Sequence, residues 1–234
     1  MKQAMIFAAG LGTRLKPLTD TMPKALVMVG GQPLIWHVIQ KLKASGYERI
    51  VVNVHHFADQ IVTYLEENHN FGLDIRISDE TNALLETGGG IKKALPLFDA
   101  NEPILIHNVD ILSNLDLEAL PMDAPLLVVS ERQTKRYLMF DDEMRLHGWT
   151  NIETGQVKGE KADKLLAFSG IHVFHPSLVP LLDEWPERFP IMDFYLKACG
   201  THLIRGYEAN DLRLMDVGKL DTLDQAEAFI NSKL

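Results

Sequence analysis

The chain of 234 residues carries 23 lysines and arginines against 32 aspartates and glutamates, a net charge of −9, with 46% hydrophobic and 24% charged residues. That length supports one large or two small domains, and it buries enough surface to need neither disulfides nor a structural metal. The composition excludes disordered and fibrous architectures, the acidity speaks against a nucleic-acid partner, and the single cysteine, Cys199, excludes an intrachain disulfide.

In chain order, Ala4–Ala9 reads as a buried strand, followed by a long loop from Gly10 to Met22. Leu34, Ile35, Val38, Ile39 and Leu42 recur at helical spacing, which predicts a helix over Leu34–Ser45 that Gly46 ends. The β-branched run Arg49–Val54 predicts a strand, Ala58–Asn68 an amphipathic helix, Asp74–Ser78 a shorter strand and Gly90–Leu97 a helix. Pro103–Asn108 and Ala124–Val129 are apolar runs of strand length. Beyond Ser130, Tyr137–Phe140 and Arg145–Trp149 flank an acidic turn and predict a hairpin. Leu165–Phe174 follows as a long strand, Ile191–Cys199 as a helix, His202–Tyr207 and Leu212–Val217 as strands, and Asp221–Ser232 as a final helix. Strands alternating with helix-length segments predict an α/β fold with a parallel sheet of βαβ units, mixed in its second half. No stretch approaches the ~20 apolar residues of a membrane span. The first apolar run is too short for a signal segment, so the expectation is a soluble cytoplasmic protein without membrane contact.

The loop after the first strand concentrates the chemistry. In Ala8-Ala9-Gly10-Leu11-Gly12-Thr13-Arg14-Leu15, the two glycines allow a tight turn with backbone N–H groups aimed at an anion. Thr13 adds a hydroxyl and Arg14 a fork of donors matched to phosphate oxygens, while Pro23 stiffens the chain ahead of the cation Lys24. The local excess of Arg14, Lys16 and Lys24 on an acidic chain suits a small anion better than a polymer. The segment is neither a P-loop nor a dinucleotide fingerprint, since Leu15 stands where the latter needs its third glycine.

Three later features extend the pattern. Leu85-Glu86-Thr87-Gly88-Gly89-Gly90-Ile91 opens a helix with three glycines, each worth roughly 1 kcal/mol less than alanine there. Either a neighbouring element packs close, or a nucleobase lies flat on the backbone with the Thr87 hydroxyl reading its edge. Ile104–Asp110 is an apolar strand that delivers an acid at its carboxyl end, where open α/β sheets bind ligands, and Asp216 sits comparably in Leu212–Gly218. Two carboxylates opposite a cationic loop suit Mg²⁺, which takes one or two acids plus substrate phosphates and water.

Together these motifs resemble the sugar-1-phosphate nucleotidyltransferases, which join a nucleoside triphosphate to a sugar 1-phosphate and release pyrophosphate. The likeness recurs in order from residue 4 to about 220. It implies a Rossmann-like open, mostly parallel sheet with helices on both faces. It also implies one domain over 1–234, with a nucleotide-binding part about 1–130 and a sugar-binding part about 131–220. By motif position it assigns Ala8, Ala9, Gly10, Gly12, Thr13 and Arg14 to the triphosphate and Lys24 to the phosphoryl group under attack. Glu86, Thr87 and Gly88 go to the base, Gly170 to the sugar-side strand, and Asp110 and Asp216 to Mg²⁺; Asn108 and Asp193 are further sugar-binding candidates, with solvation on the helix surface the competing reading of Asp193. Arg14, Lys24 and Asp110 are the catalytic set. The form Leu-Glu-Thr-Gly-Gly-Gly-Ile, and Ala8-Ala9-Gly10, most resemble the branch that activates N-acetylmuramate 1-phosphate with UTP for cell-wall recycling. A guanylyltransferase acting on mannose or heptose 1-phosphate is the alternative, and a monomer or small homo-oligomer is expected.

Two positions stay open. The family has glycine before its first metal aspartate, whereas this chain has Val109. Gly170 fits either a β-bulge or a sugar lying against the backbone. Adjacent His55 and His56 and the lone Cys199 lack zinc-ligand spacing.

Overall fold

Successive side chains of a strand point to opposite faces. In β1 (Lys2–Phe7) both faces are apolar: Ala4 and Ile6 enter one core while Met5 enters another. That doubly buried strand lies inside a sheet covered by helices on both sides, as the computed structural model, which describes residues 1–231, shows.

The first half of the chain continues with the two-residue strands β2 (Met28–Val29) and β3 (Gln32–Pro33), α1 (Leu34–Ala44), β4 (Tyr47–Val54) and α2 (Ala58–Glu67). β5 (Asp74–Asp79), α3 (Glu86–Ala94), β6 (Ile104–Asn108), β7 (Ile111–Ser113) and β8 (Leu126–Ser130) follow. The second half holds β9 (Arg136–Phe140), β10 (Leu146–Asn151), β11 (Gln156–Gly159), β12 (Lys164–Phe174), α4 (Ile191–Ala198), β13 (Arg205–Glu208), β14 (Leu214–Asp216) and α5 (Leu223–Asn231).

The main sheet runs β11-β10-β9-β12-β6-β1-β4-β5, with β8 also on β12 and β13 on β8. Pairs β1–β4, β1–β6, β4–β5 and β8–β13 are parallel, while β12 runs antiparallel to β6, β8 and β9. Helices α1, α2 and α5 cover one face through Leu34, Val38, Ile61, Leu65 and Ala226, and α3 and α4 cover the other through Ile91, Ala94, Phe194 and Tyr195. The open α/β sheet of the sequence reading, parallel through β6-β1-β4-β5 and mixed in the second half, where β9, β10 and β11 also pair antiparallel, is therefore the observed architecture. Among the described residues no helix is long and apolar enough to cross a membrane.

Three local differences have physical causes. Helix α3 starts at Glu86 rather than Gly90, because close packing outweighs the poor helix propensity of its glycines. Strand β11 is exposed at every residue and so carries no burial pattern to read. The last helix splits into a 3₁₀ turn over Leu220–Thr222 and α5, and Ser232 lies outside the described residues. Both the loop after β1 and Asp110, just past β6, lie at the carboxyl ends of adjacent parallel strands, which opens a crevice there.

Candidate active site

The crevice floor is wired by two buried polar residues, Asn53 near the end of β4 and Glu80 just past β5. Asn53, near the end of β4, accepts hydrogen bonds at Oδ1 from the Ala8 and Ala9 amides at 2.8 and 3.3 Å. Its Nδ2 donates at 2.8 Å to Glu80, a carboxylate with no exposed surface that also accepts from the Leu85 amide at 3.1 Å. One side-chain pair thus anchors both the loop after β1 and the segment entering α3. Neither residue emerged from the sequence; Asn53 offered one signal, a polar residue closing the apolar run of β4, and Glu80 offered none, because β5 alternates polar and apolar residues.

Gly12 has φ +63°, and a Cβ there would fall 2.8 Å from Thr19 Cγ2, so the turn requires glycine. Thr19 Oγ1 donates to the Gly12 carbonyl at 2.8 Å and closes the loop. A pocket of about 430 Å³ opens above it, lined by Ala8, Ala9, Gly10, Lys24 and Asp110 on one side and Glu86 and Thr87 on the other. Thr13 and Arg14 stand outside that lining, exposed on a 3₁₀ turn.

Charged residues converge beside this pocket, Lys24 and Asp110 within its lining and Arg14 and Asp216 next to them. Lys24 forms an ion pair with Asp110, and their side chains are only 11% and 16% exposed. Strand β14 pairs with β7 so that Asp216 stands opposite Ile111, and the Val217 amide donates to the Asp110 carbonyl at 2.8 Å. A Cβ on Gly218 would fall 2.6 Å from Asp216 Oδ1 and 2.7 Å from Arg14 Nη2, so the guanidinium and carboxylate crowd the same α-carbon. Although Asp216 keeps an open side, partial desolvation raises its carboxyl pKa. The Asp110 carboxylate raises it further, while Lys24, Arg14 and Arg132 pull it down. Two carboxylates and three cations from distant segments therefore share one electrostatic neighbourhood. Arg132 was not anticipated, because its loop after β8 carries no motif.

The glycines of α3 are dictated by packing. A Cβ at Gly88 would meet the Phe189 ring at 2.2 Å, one at Gly89 the Glu187 carbonyl oxygen at 2.1 Å, and one at Gly90 the Glu80 Oε1 at 2.9 Å. The Gly88 and Gly89 amides both donate to the Phe189 carbonyl, and Gly88 does not line the pocket. Glu86 does line it, in a left-handed conformation with φ +62°, held by an ion pair to Arg188 at 3.1 Å. Thr87 also lines it, and its hydroxyl accepts from the Ile191 amide at 2.9 Å.

A second pocket of about 470 Å³ adjoins the first, sharing Phe7, Thr87, Asn108 and Pro190. Asn108 thus faces both, and Asp193 lines the second, where it pairs with Lys158 at 2.7 Å. Gly170, with φ +82°, sits where the register of β12 shifts between Phe168 and His172, and its missing Cβ leaves room for Asn108 Nδ2. A break in strand register is what the structure shows at Gly170. Val109 lies in the wall of the first pocket.

Two hard carboxylates without nitrogen or sulfur donors fit a magnesium-type cation completed by phosphate oxygens and water. Among the described residues no group of three or more histidines, cysteines or acids could enclose a metal without such help.

Residues 3–124 match the model of the Nucleotidyl transferase family. The chain is 50% identical over 111 residues to the N-acetylmuramate alpha-1-phosphate uridylyltransferase of Caulobacter vibrioides, covering 47% of this chain and 46% of that one. It is 36% identical over 243 residues to the UTP–glucose-1-phosphate uridylyltransferase of Synechocystis sp., covering 96% of this chain and 62% of that one. These alignments span about half to three-fifths of the relatives' own lengths. Among solved structures, HddC from Yersinia pseudotuberculosis complexed with GMP-PN superposes with a TM-score of 0.77 at 21% identity, over 98% of this chain and all of that one.

Proposed function

The chain belongs to the nucleotidyl transferase family, and from that premise we propose that it transfers a uridylyl group from UTP to a sugar 1-phosphate, releasing pyrophosphate. N-acetylmuramate 1-phosphate is the favoured acceptor, which puts the reaction in cytoplasmic peptidoglycan recycling. The observation that carries the proposal is the grouping of Lys24, Arg14, Asp110 and Asp216 in and beside a pocket bounded by the loop after β1 and the start of α3. The choice of uridine and of this sugar is supported by the half-length likeness to the Caulobacter vibrioides protein.

Residues 1–130 would hold the nucleotide and residues 131–220 the sugar. An oxygen of the sugar phosphate forms a bond to the α-phosphorus in line with the bridging oxygen of the departing pyrophosphate, whose bond breaks. The nucleophile needs no base, because a phosphate monoester with its second pKa near ~6 is already mostly dianionic at neutral pH. The barrier is therefore electrostatic and positional. Lys24 exchanges part of its pairing with Asp110 for the α-phosphoryl oxygens, and Arg14 takes charge developing on the leaving pyrophosphate. Gly10, Gly12 and Thr13 orient the triphosphate, while Glu86 and Thr87 face the base. Asp110 and Asp216 are the residues that would hold Mg²⁺, which when bound supplies charge neutralisation at the α-phosphate.

The test is pyrophosphate release across a grid of nucleoside triphosphates and sugar 1-phosphates. UTP with N-acetylmuramate 1-phosphate should give the highest kcat/KM. A preference for GTP with mannose or heptose 1-phosphate would replace this assignment, and no pyrophosphate with any pair would remove it.

A further inference from the structure

The second pocket carries more positive charge than the 1-phosphate of an otherwise uncharged hexose uses. Its lining holds Arg132, Arg136 and Lys158 against the single carboxylate of Asp193, an excess of positive charge on a chain whose net charge is −9. Strand register explains the grouping. Leu138 of β9 stands opposite Trp149 of β10, which stands opposite Lys158 of β11, so all three side chains share one face. Arg136, two residues before Leu138, projects from the same face at its edge. Helix α4 closes the other side with Met192, Asp193 and Leu196.

The three cations are not equivalent. Lys158 is paired with Asp193 at 2.7 Å and lies over the Trp149 ring. Arg132 donates to the Phe168 carbonyl at 2.8 Å and is near enough to Asp216 to act on its charge, which puts it at the reacting end. Arg136 has no salt-bridge partner among the described residues and is not among the charges acting on Asp216. An exposed guanidinium with no salt-bridge partner among the described residues, in the lining of a pocket walled by Leu138, Trp149 and Phe168, is a ready donor fork for an anion.

We propose that Arg136 reads a second anionic group on the acceptor, a carboxylate carried by the sugar in addition to its 1-phosphate. The 1-phosphate lies toward Arg132 and the metal carboxylates, the sugar ring against Trp149 and Phe168, and the carboxylate at Arg136. This rests on the proposed transfer to a sugar 1-phosphate and makes charge, rather than ring shape alone, the basis of acceptor choice.

The test uses N-acetylmuramate 1-phosphate and N-acetylglucosamine 1-phosphate, which differ by the lactyl ether that bears the carboxylate. Binding of each to the full chain and to Arg136→Met is measured by calorimetry with Mg²⁺ and a non-hydrolysable UTP analogue, and turnover with UTP is measured beside it. The acid-to-neutral binding ratio should fall at least about tenfold in Arg136→Met, return in part in Arg136→Lys, and shrink with added salt. An unchanged ratio, or tighter binding of the neutral sugar by the unaltered chain, overturns the subsite whatever the turnover. Pyrophosphate release absent with both sugars, while the ratio still responds to Arg136, overturns the uridylyl transfer and leaves the subsite standing.

Discussion

Replacing Lys24 with methionine keeps the apolar stem and removes one charge from the cluster. Its side chain and that of Asp110 are 11% and 16% exposed, so their pairing is only weakly screened by water. Two effects follow and can be separated. A preorganised cation lost from a phosphoryl centre costs on the order of 10²–10³ in kcat, or about 3–4 kcal/mol of barrier. In the resting protein, Asp110 loses its counter-ion beside Asp216, whose own carboxyl is already held above its usual pKa. Breaking a fully buried pair costs about 3–5 kcal/mol, and because this one keeps a solvent-facing side we expect about 1–2 kcal/mol. For a chain of this size that lowers Tm by roughly 2–8 °C. The carboxylates freed of Lys24 should then gain more from Mg²⁺ than those of the unaltered chain. Pyrophosphate release at saturating substrates gives the first quantity, and thermal melts with and without MgCl₂ give the second. A Lys24→Met protein within about fivefold of full kcat, melting at the original temperature and indifferent to magnesium, would refute the reasoning.

Two further outcomes follow from packing and burial. Gly89→Ala should lower Tm despite the better helix propensity of alanine, because its methyl would lie 2.1 Å from the backbone oxygen of Glu187. We expect a net loss of about 1–3 kcal/mol by denaturant unfolding, and an unchanged or higher Tm would show that the 185–190 segment gives way freely. His172 and His107 are buried neutral, and desolvation lowers their pKa values from 6.5 to about 3 and about 4. The unfolded chain therefore binds the extra protons, and stability should be full above pH ~6.5 and decline as pH falls from there toward ~3. Asp216 acts in the opposite sense within the carboxylate range, since its raised pKa favours the folded state at low pH. Urea unfolding at pH 7 and pH 5 tests this: equal stabilities would contradict it, and His172→Gln should flatten the slope.

The sequence was most legible where hydrophobic period and chain direction coincide. Helix α1 and strand β12 are found within one residue of their expected bounds, because each has one unbroken periodic signal. The loop after β1 and the acid beyond β6 were recognisable because glycines, cations and a strand-end carboxylate follow one another in fixed order. Asn53 and Glu80 were invisible for the opposite reason. Their role lies in joining β4 and β5 to two other segments, and no local pattern records a hydrogen bond across 27 residues. Arg136 likewise has meaning only through the register of β9, β10 and β11. The three glycines had two readings until Phe189, about a hundred residues later, was seen against Gly88.

The most direct test of the account is a crystal grown with Mn²⁺ and the UDP-sugar product, with the metal located by its anomalous signal. The expected result is one peak beside Asp110 and Asp216, with the α-phosphate near Lys24 and the uracil beside Glu86 and Thr87. A metal bound elsewhere, or a nucleotide outside the crevice with Lys24 still closed on Asp110, would contradict it.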